Sequence, residues 1–158
     1  MSRSVFVGFK GDGFWAYDVV SSTYLGFLTS AANVLATDKQ QYWLEEAVRA
    51  WHINMEISDY GLHLDEDWSE SQLETVRELC RFAIKKIRGA DTILWSDIEM
   101  WPILPVRRGH DSIPSEPVAG FGEAIIALLE GKLAQPPTGH WWFYTLDDKV
   151  DLIERATL

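Results

Sequence analysis

The segment between Ser69 and Gly89 constrains the fold most, because it carries a full set of signals for one amphipathic helix. Ser69 is a good N-cap, Gln72 completes a capping box, and Trp68 and Leu73 are spaced as a hydrophobic staple. Acids at the start and bases at the end suit the helix dipole. Gly89 predicts the C-terminal end of the helix. One apolar stripe follows at helical spacing: Leu73, Val76, Cys80, Ala83, Ile84 and Ile87.

Four further helices are predicted from apolar spacing and caps, over about 22–35, 38–55, 97–101 and 117–130. For the last of these we expect Ser115 or Glu116 at the cap, Pro117 at the first helical position and Gly131 at the end. Gly120 and Gly122 near its start indicate a close approach to a neighbouring element.

Strand signals lie at the two ends of the chain. Residues 5–9 and 14–19 flank a Gly-Asp-Gly turn and predict a β-hairpin, and residues 141–145 have high β propensity. Alternation should turn one of Trp141 and Trp142 to the core and the other outward. We expect residues 147–158 to fray or to form a last helical turn. The chain is therefore predicted to be one α+β domain over 1–158, dominated by about five helices, with a small antiparallel sheet built from the hairpin and the C-terminal strand.

The charge balance argues for one class of partner. Acids outnumber bases 24 to 14, the net charge is −10 and the pI is near 4.7. Nucleic acids and anionic membranes attract basic surfaces, so neither is expected as a partner. A basic protein is the electrostatically natural one.

Cysteine usage and the N-terminus indicate a compartment. Cys80, the single cysteine, excludes an intramolecular disulfide and falls on an apolar helix stripe, as a small buried hydrophobe would. The first residues lack a signal-peptide pattern, and no apolar run reaches 18 residues. We expect a cytoplasmic protein.

An acidic run from Glu56 to Glu78 contains eight acids and one base, which is seven of the ten net negative charges. Glu70 and Glu74 could simply stabilise a helix start. The remainder supports a hypothesis of partner binding, against the alternative of a solvated connection. In that hypothesis four carboxylates steer a basic partner and two rings hold it; the residues are Asp59, Asp65, Glu66 and Asp67, with Tyr60 and Trp68.

The sequence contains no complete catalytic or metal-binding pattern. His63 with Asp65 and Glu66 lacks a second nearby histidine, and no calcium loop, phosphate loop or nucleophile elbow is matched. We therefore expect no cofactor, no metal and no enzymatic activity. One alternative stays open, a small carboxylate-dependent hydrolase acting on carbohydrate, because paired acids and tryptophans could serve it. Another is a self-associating structural protein that buries some of its eight tryptophans in a homo-oligomer.

The run from Ser58 to Trp68, the helix after it and the segment from Pro136 to Tyr144 together resemble a family of small, uncharacterised bacterial proteins. That resemblance covers most of the chain and implies no assigned chemistry. In size, acidity and lack of a catalytic motif, the chain is also similar to the immunity proteins of bacterial toxin systems. This likeness implies an inhibitor that occludes the active site of a basic toxin, and it assigns no individual residue.

Overall fold

The structure is a computed structural model that describes residues 4–35, 42–57, 62–94 and 111–156. The predicted helix at 97–101 and the predicted site residues Asp59 and Tyr60 lie outside this part. The described helices are α1 (Asp18–Leu35), α2 (Tyr42–Ile57), α3 (Glu70–Ile87) and α4 (Ser115–Leu129). The described strands are β1 (Ser4–Phe9), β2 (Asp12–Tyr17), β3 (Thr92–Leu94), β4 (Ser112–Pro114), β5 (His140–Tyr144) and β6 (Asp151–Glu154). The α+β class with dominant helices is confirmed.

The larger sheet has the strand order β1-β2-β5-β6, and β3 and β4 form a separate antiparallel pair. β1 and β2 are the predicted hairpin, and β5 joins it as predicted. The pairing of β2 with β5 is parallel, so the sheet is mixed and the antiparallel prediction was wrong. The helices between these strands provide the long crossover that parallel strands require.

The C-terminal tail also differs from its prediction. Residues 151–154 form β6, which pairs antiparallel with β5 and places Leu152 opposite Trp142 and Ile153 opposite Trp141. Two adjacent apolar residues in an extended strand can each face one of these rings, whereas a frayed end would leave the edge of β5 unpaired.

The hairpin turn is tighter than predicted. It consists of Lys10 and Gly11 at φ values of 50° and 83°, a two-residue turn whose twist matches that of the flanking strands. β2 therefore begins at Asp12, two residues before the predicted start. It ends at Tyr17, and α1 begins at the next residue, Asp18.

The core lies between the sheet and the helices. α1 and α4 contact β2, and α3 packs against both helices. Phe14 of β2, Tyr24 of α1 and Phe121 of α4 are fully buried in edge-to-face ring contacts. Gly122 allows the close approach of α4 to α1, because a Cβ there would lie 2.5 Å from a ring carbon of Tyr24. Gly120 has no such neighbour, so only one of the two glycines has the predicted role.

α3 begins as its sequence predicts. The Ser69 hydroxyl accepts the Gln72 N–H at 3.3 Å, and the Gln72 side chain accepts the Ser69 N–H at 2.7 Å. Its end is also at the predicted position, because Arg88 is the C-cap and Gly89 follows it, although Gly89 does not take the left-handed conformation.

α4 also ends where its sequence predicts, but its start differs from the prediction. Gly131 has a φ of 69° after the helix, as expected of a terminating glycine. The N-cap is Pro114, and Pro117 occupies the third helical position rather than the first. The N–H of Ser115 donates to the Asp91 carbonyl beside the β3–β4 pair, and its buried hydroxyl caps nothing.

The two faces of the larger sheet differ in what covers them. Trp142 and Tyr144 pack against the core, whereas Trp141 lies on the other face, against Phe6 and under the Arg155 guanidinium at 3.6 Å. The predicted alternation of the tryptophan pair is confirmed. Among the helices of the described part, none combines the length and the apolar character needed to cross a membrane.

Candidate functional site

The acidic run divides into two parts, and the first lies on α3. Glu70 pairs with Arg77 at 2.6 Å, and Glu74 pairs with Arg77 at 2.8 Å and with Arg81 at 3.0 Å. Hydrogen bonds from Arg81 and then Arg77 lower the pKa of the Glu74 carboxyl below its usual value. The Arg77 side chain is buried along α3, so its cation is held at this position. These two acids are neutralised within their own helix.

The second part precedes α3, and its carboxylates are bonded differently. An Asp65 oxygen accepts the Asp67 N–H at 2.9 Å, and a Glu66 oxygen accepts the Lys10 backbone N–H at 2.7 Å. Across the ranges that the structure describes, none of these three acids forms an ion pair with a lysine or arginine side chain. The carboxylate of Asp67 has no hydrogen-bond partner there at all. Backbone donors fix the shape of this segment without neutralising its charge.

Trp68 does not protrude, contrary to the expectation that it anchors a partner from the surface. Its side chain is only 8% exposed, and its ring packs edge-on against Trp43, with 5.9 Å between the centroids. As the residue before the N-cap of α3, it is directed toward the interior, as a staple residue would be. The exposed-anchor role is therefore wrong for Trp68, although one ring edge still borders a groove.

That groove, here called the acidic groove, lies between α2 and the segment leading into α3. Its volume is about 270 Å³, and two tryptophans and three carboxylates line it. The lining residues are Trp43, Glu46, Ala47 and Ala50 from α2, and His63, Asp65, Asp67, Trp68 and Gln72 from the other side. The structure thus brings the predicted residues Asp65, Asp67 and Trp68 together, while Glu66 is turned toward the hairpin.

A buried tryptophan fixes the wall of the acidic groove. The Trp51 side chain is fully buried, and its indole N–H donates to the His63 carbonyl at 2.9 Å. Leu62 and Leu64 on either side of His63 are also buried. The segment before Asp65 is therefore held by both packing and a hydrogen bond. The backbone that carries the acids is thus fixed in position.

A second concavity, here called the edge cleft, adjoins the first. Its volume is about 440 Å³, and it lies between β1 on one side and α2 with residues 62–64 on the other. The lining residues are Phe6, Gly8, Ala50, Asn54, Leu62, His63 and Leu64. Because Ala50 and His63 border both concavities, a bound chain could run from one into the other.

Sequence reasoning missed the contribution of α2. Trp43, Glu46 and Ala50 are spaced so that they share one face of a helix, beside the apolar stripe that predicts a helix over 38–55. A large ring and a carboxylate on that second face are the sequence signal that could have indicated the contribution of α2 to the groove. The Glu46 carboxylate raises the pKa of the exposed Tyr42 hydroxyl, chiefly through a hydrogen bond.

Asp65 and Asp67 lie beside tryptophan rings and form no ion pair within the described ranges, so they favour an ammonium or guanidinium group. A cation gains charge-assisted hydrogen bonds from the carboxylates and attraction to the ring faces. A metal site is not indicated, since no group of three or more histidine, cysteine or acidic side chains in the described residues is placed to hold an ion. The groove is thus suited to a basic side chain.

No protein-family model, curated protein or solved structure matches this chain. Functional inference therefore rests on the geometry and charge of the grooves.

Proposed function

We propose that the protein is a non-enzymatic binding module whose acidic groove receives a lysine or arginine side chain of a basic protein partner. The observation that carries the proposal is that no lysine or arginine side chain among the described residues pairs with Asp65 or Asp67, which lie beside Trp43 and Trp68. A carboxylate paired within its own chain must exchange one cation for another when a partner binds, which gains little. A carboxylate that has no cation partner in its own chain loses only its hydration when a cation binds, so more of the attraction remains as affinity.

The long-range field supports the same partner. The net charge of −10 would attract a basic protein during diffusional encounter, and this attraction weakens as salt increases. Binding should therefore depend on ionic strength mainly through the association rate.

The test compares three forms of the protein as affinity baits in lysate from the native host. They are the wild type, the groove variant Glu46→Lys/Asp67→Lys, and the control variant Asp147→Lys/Asp148→Lys. The control makes the same change in net charge with exposed acids outside the groove. We expect the wild type and the control to retain a basic protein that the groove variant loses. Equal recovery by all three forms, or binding of the purified partner that is insensitive to salt, would contradict the proposal.

A particular form of this function is an immunity-type inhibitor acting in the cytoplasm on a basic toxin. Small size, acidity and a charged binding groove support it. Co-expression of the purified partner's gene with each variant tests it. The wild type and the Asp147/Asp148 control should protect the cells, and the groove variant should not. A captured partner that is harmless on its own would leave a binding module that is not an immunity protein.

A carbohydrate-directed hydrolase is the second candidate, because the acidic groove does hold carboxylates next to tryptophans. Against it, Glu46 and Asp67 are exposed, whereas the general acid of a glycosidase is usually held in a dry environment. Asp65 is already bonded within its own turn. Hydrolysis of a glycan panel that is lost in Asp67→Asn would establish this candidate in place of the binding module.

A further inference from the structure

Among the described strands, β1 lies at one edge of the larger sheet, and its residues Phe6 and Gly8 border the edge cleft. On its paired side β1 is bonded to β2, and the last residue pair before the turn is Phe9 with Asp12. In an antiparallel pair the bonded positions alternate, and the closing pair of a two-residue hairpin is a bonded one. Val5, Val7 and Phe9 therefore direct their backbone groups toward β2.

Phe6 and Gly8 must then direct their N–H and C=O groups to the open side. Gly13, which is opposite Gly8, agrees with this alternation, because its N–H donates to the Asp12 carboxylate and not to β1. Neither Phe6 nor Gly8 forms a further backbone hydrogen bond with any residue in the described ranges. These two residues are also the ones that β1 contributes to the lining of the edge cleft.

The side chains leave room for another backbone. Gly8 has no side chain, and the Phe6 ring takes the space above it, because a Cβ there would lie 3.0 Å from Phe6 Cε1. The room for another backbone is therefore beside the strand and not above Gly8. The Phe6 ring folds back over the glycines, since a Cβ on Gly13 would lie 2.5 Å from its Cζ. Across the cleft, Leu62 and Leu64 are buried, so the opposite wall is held in place by core packing.

Charge selects the kind of chain that would enter. The edge cleft continues past His63 into the acidic groove, where Asp65 and Asp67 pair with no lysine or arginine of the described segments. An extended segment lying along β1 could therefore reach these carboxylates with a side chain beyond its paired residues. A second copy of this chain would bring its own strongly negative charge to the same place.

We propose that the partner contributes an extended basic segment that pairs with the open edge of β1 at Phe6 and Gly8, adding a strand to the sheet, and that a lysine or arginine of this segment enters the acidic groove. This inference rests on the proposed function and adds the backbone conformation of the ligand. Main-chain bonds would provide affinity, and the groove would provide the preference for a basic residue.

The probe is a short, capped peptide of alternating lysine and valine, added to the full chain at millimolar concentration. Amide hydrogen exchange of the hairpin is followed by NMR. We expect the Phe6 and Gly8 amides to exchange fast in the free protein and to slow by about tenfold or more with peptide. The Val7 and Phe9 amides, already bonded to β2, should change little. The same peptide with every backbone amide N-methylated keeps its charge and should not protect Phe6 or Gly8.

The outcomes separate this inference from the function on which it rests. If the indole signals of Trp43 and Trp68 shift and Glu46→Lys/Asp67→Lys removes the shift, but Phe6 and Gly8 stay unprotected, strand pairing is refuted and the basic groove stands. Protection that the groove variant leaves intact supports pairing and refutes the groove. No response at all refutes both. Protection in the peptide-free protein together with a dimer in sedimentation would assign this edge to self-association and overturn the proposal.

Discussion

The two parts of the acidic run have similar composition and opposite environments. Glu70 and Glu74 lie on α3 and form ion pairs with Arg77 and Arg81, so their charge is neutralised within the helix. Asp65 and Asp67 precede the helix. Asp65 accepts the Asp67 backbone N–H, and the burial of Leu64 and Trp68 on either side holds the segment.

This difference shows that local charge density does not by itself identify a binding surface. What matters is whether a cation of the same chain lies within a turn or two of helix. Acids on a helix face find arginines three, four or seven residues away, whereas acids in a turn have no such neighbours. The acids outside the helix therefore keep the capacity to bind a partner.

The largest expected effect is on the free energy of unfolding, and it tests whether the Trp68 ring is buried or exposed. Replacing Trp68 by alanine should lower the free energy of unfolding by about 3–5 kcal/mol, because it opens a cavity beneath the start of α3. Trp43→Ala, at a half-buried position, should cost less. Urea denaturation measures both, and a loss below about 0.5 kcal/mol for Trp68→Ala would place this ring at the surface after all.

The next effect tests the helical half. Arg77→Met keeps an apolar stem and removes a buried cation, so it should cost about 1–3 kcal/mol through lost charged hydrogen bonds. Arg81→Met, at a half-exposed position, is the matched control and should cost about 0–1 kcal/mol. Equal losses by urea denaturation would mean that burial of Arg77 does not strengthen its pairs.

A smaller effect concerns acid. The pKa of Glu74 is lowered from its usual 4.5, so its contribution to stability is present above that pH and is lost as the pH falls through the lower folded value. Glu74→Gln should flatten the fall in urea midpoint below about pH 4.5. Arg81→Met removes the first cause of the shift and should do the same. An unchanged acid limb in both variants would contradict the pairing of Glu74.

The smallest effect belongs to the groove. Asp67→Lys should change the free energy of unfolding by less than about 0.5 kcal/mol, because its carboxylate bonds to nothing in the described part of the chain. Asp65→Ala should cost about 1 kcal/mol, because it removes the acceptor for the Asp67 N–H. The reverse order in urea denaturation would show that Asp67, and not Asp65, holds the turn.

The predictable parts of the fold are those that local chemistry determines. The capping box and stripe of α3 are read from neighbouring residues, and so is the hairpin. The parallel entry of β5 and the pairing of β6 depend on where distant segments meet, which periodicity does not encode. Ser115 failed as a cap because a long-range bond to Asp91 and burial of its hydroxyl outweighed its cap preference.

Only one wall of the acidic groove, the segment that leads into α3, was predictable from the sequence. The acids of 65–67 stand out in the sequence, but burial of Trp68 and the opposite wall from Trp43 and Glu46 required tertiary structure. The open edge of β1 could not be located either, since an edge strand is defined by what fails to pair with it.

The central claim is that the acids before α3, and not those on it, receive a cation. The most direct measurement is an NMR titration of the side-chain carboxyl ¹³C signals with the alternating lysine–valine peptide at low salt. The signals of Asp65 and Asp67 should move together with the indole N–H of Trp43, while those of Glu70 and Glu74 stay in place. Shifts of Glu70 and Glu74 as large as those of Asp67, or no shift in Asp67, would contradict the account.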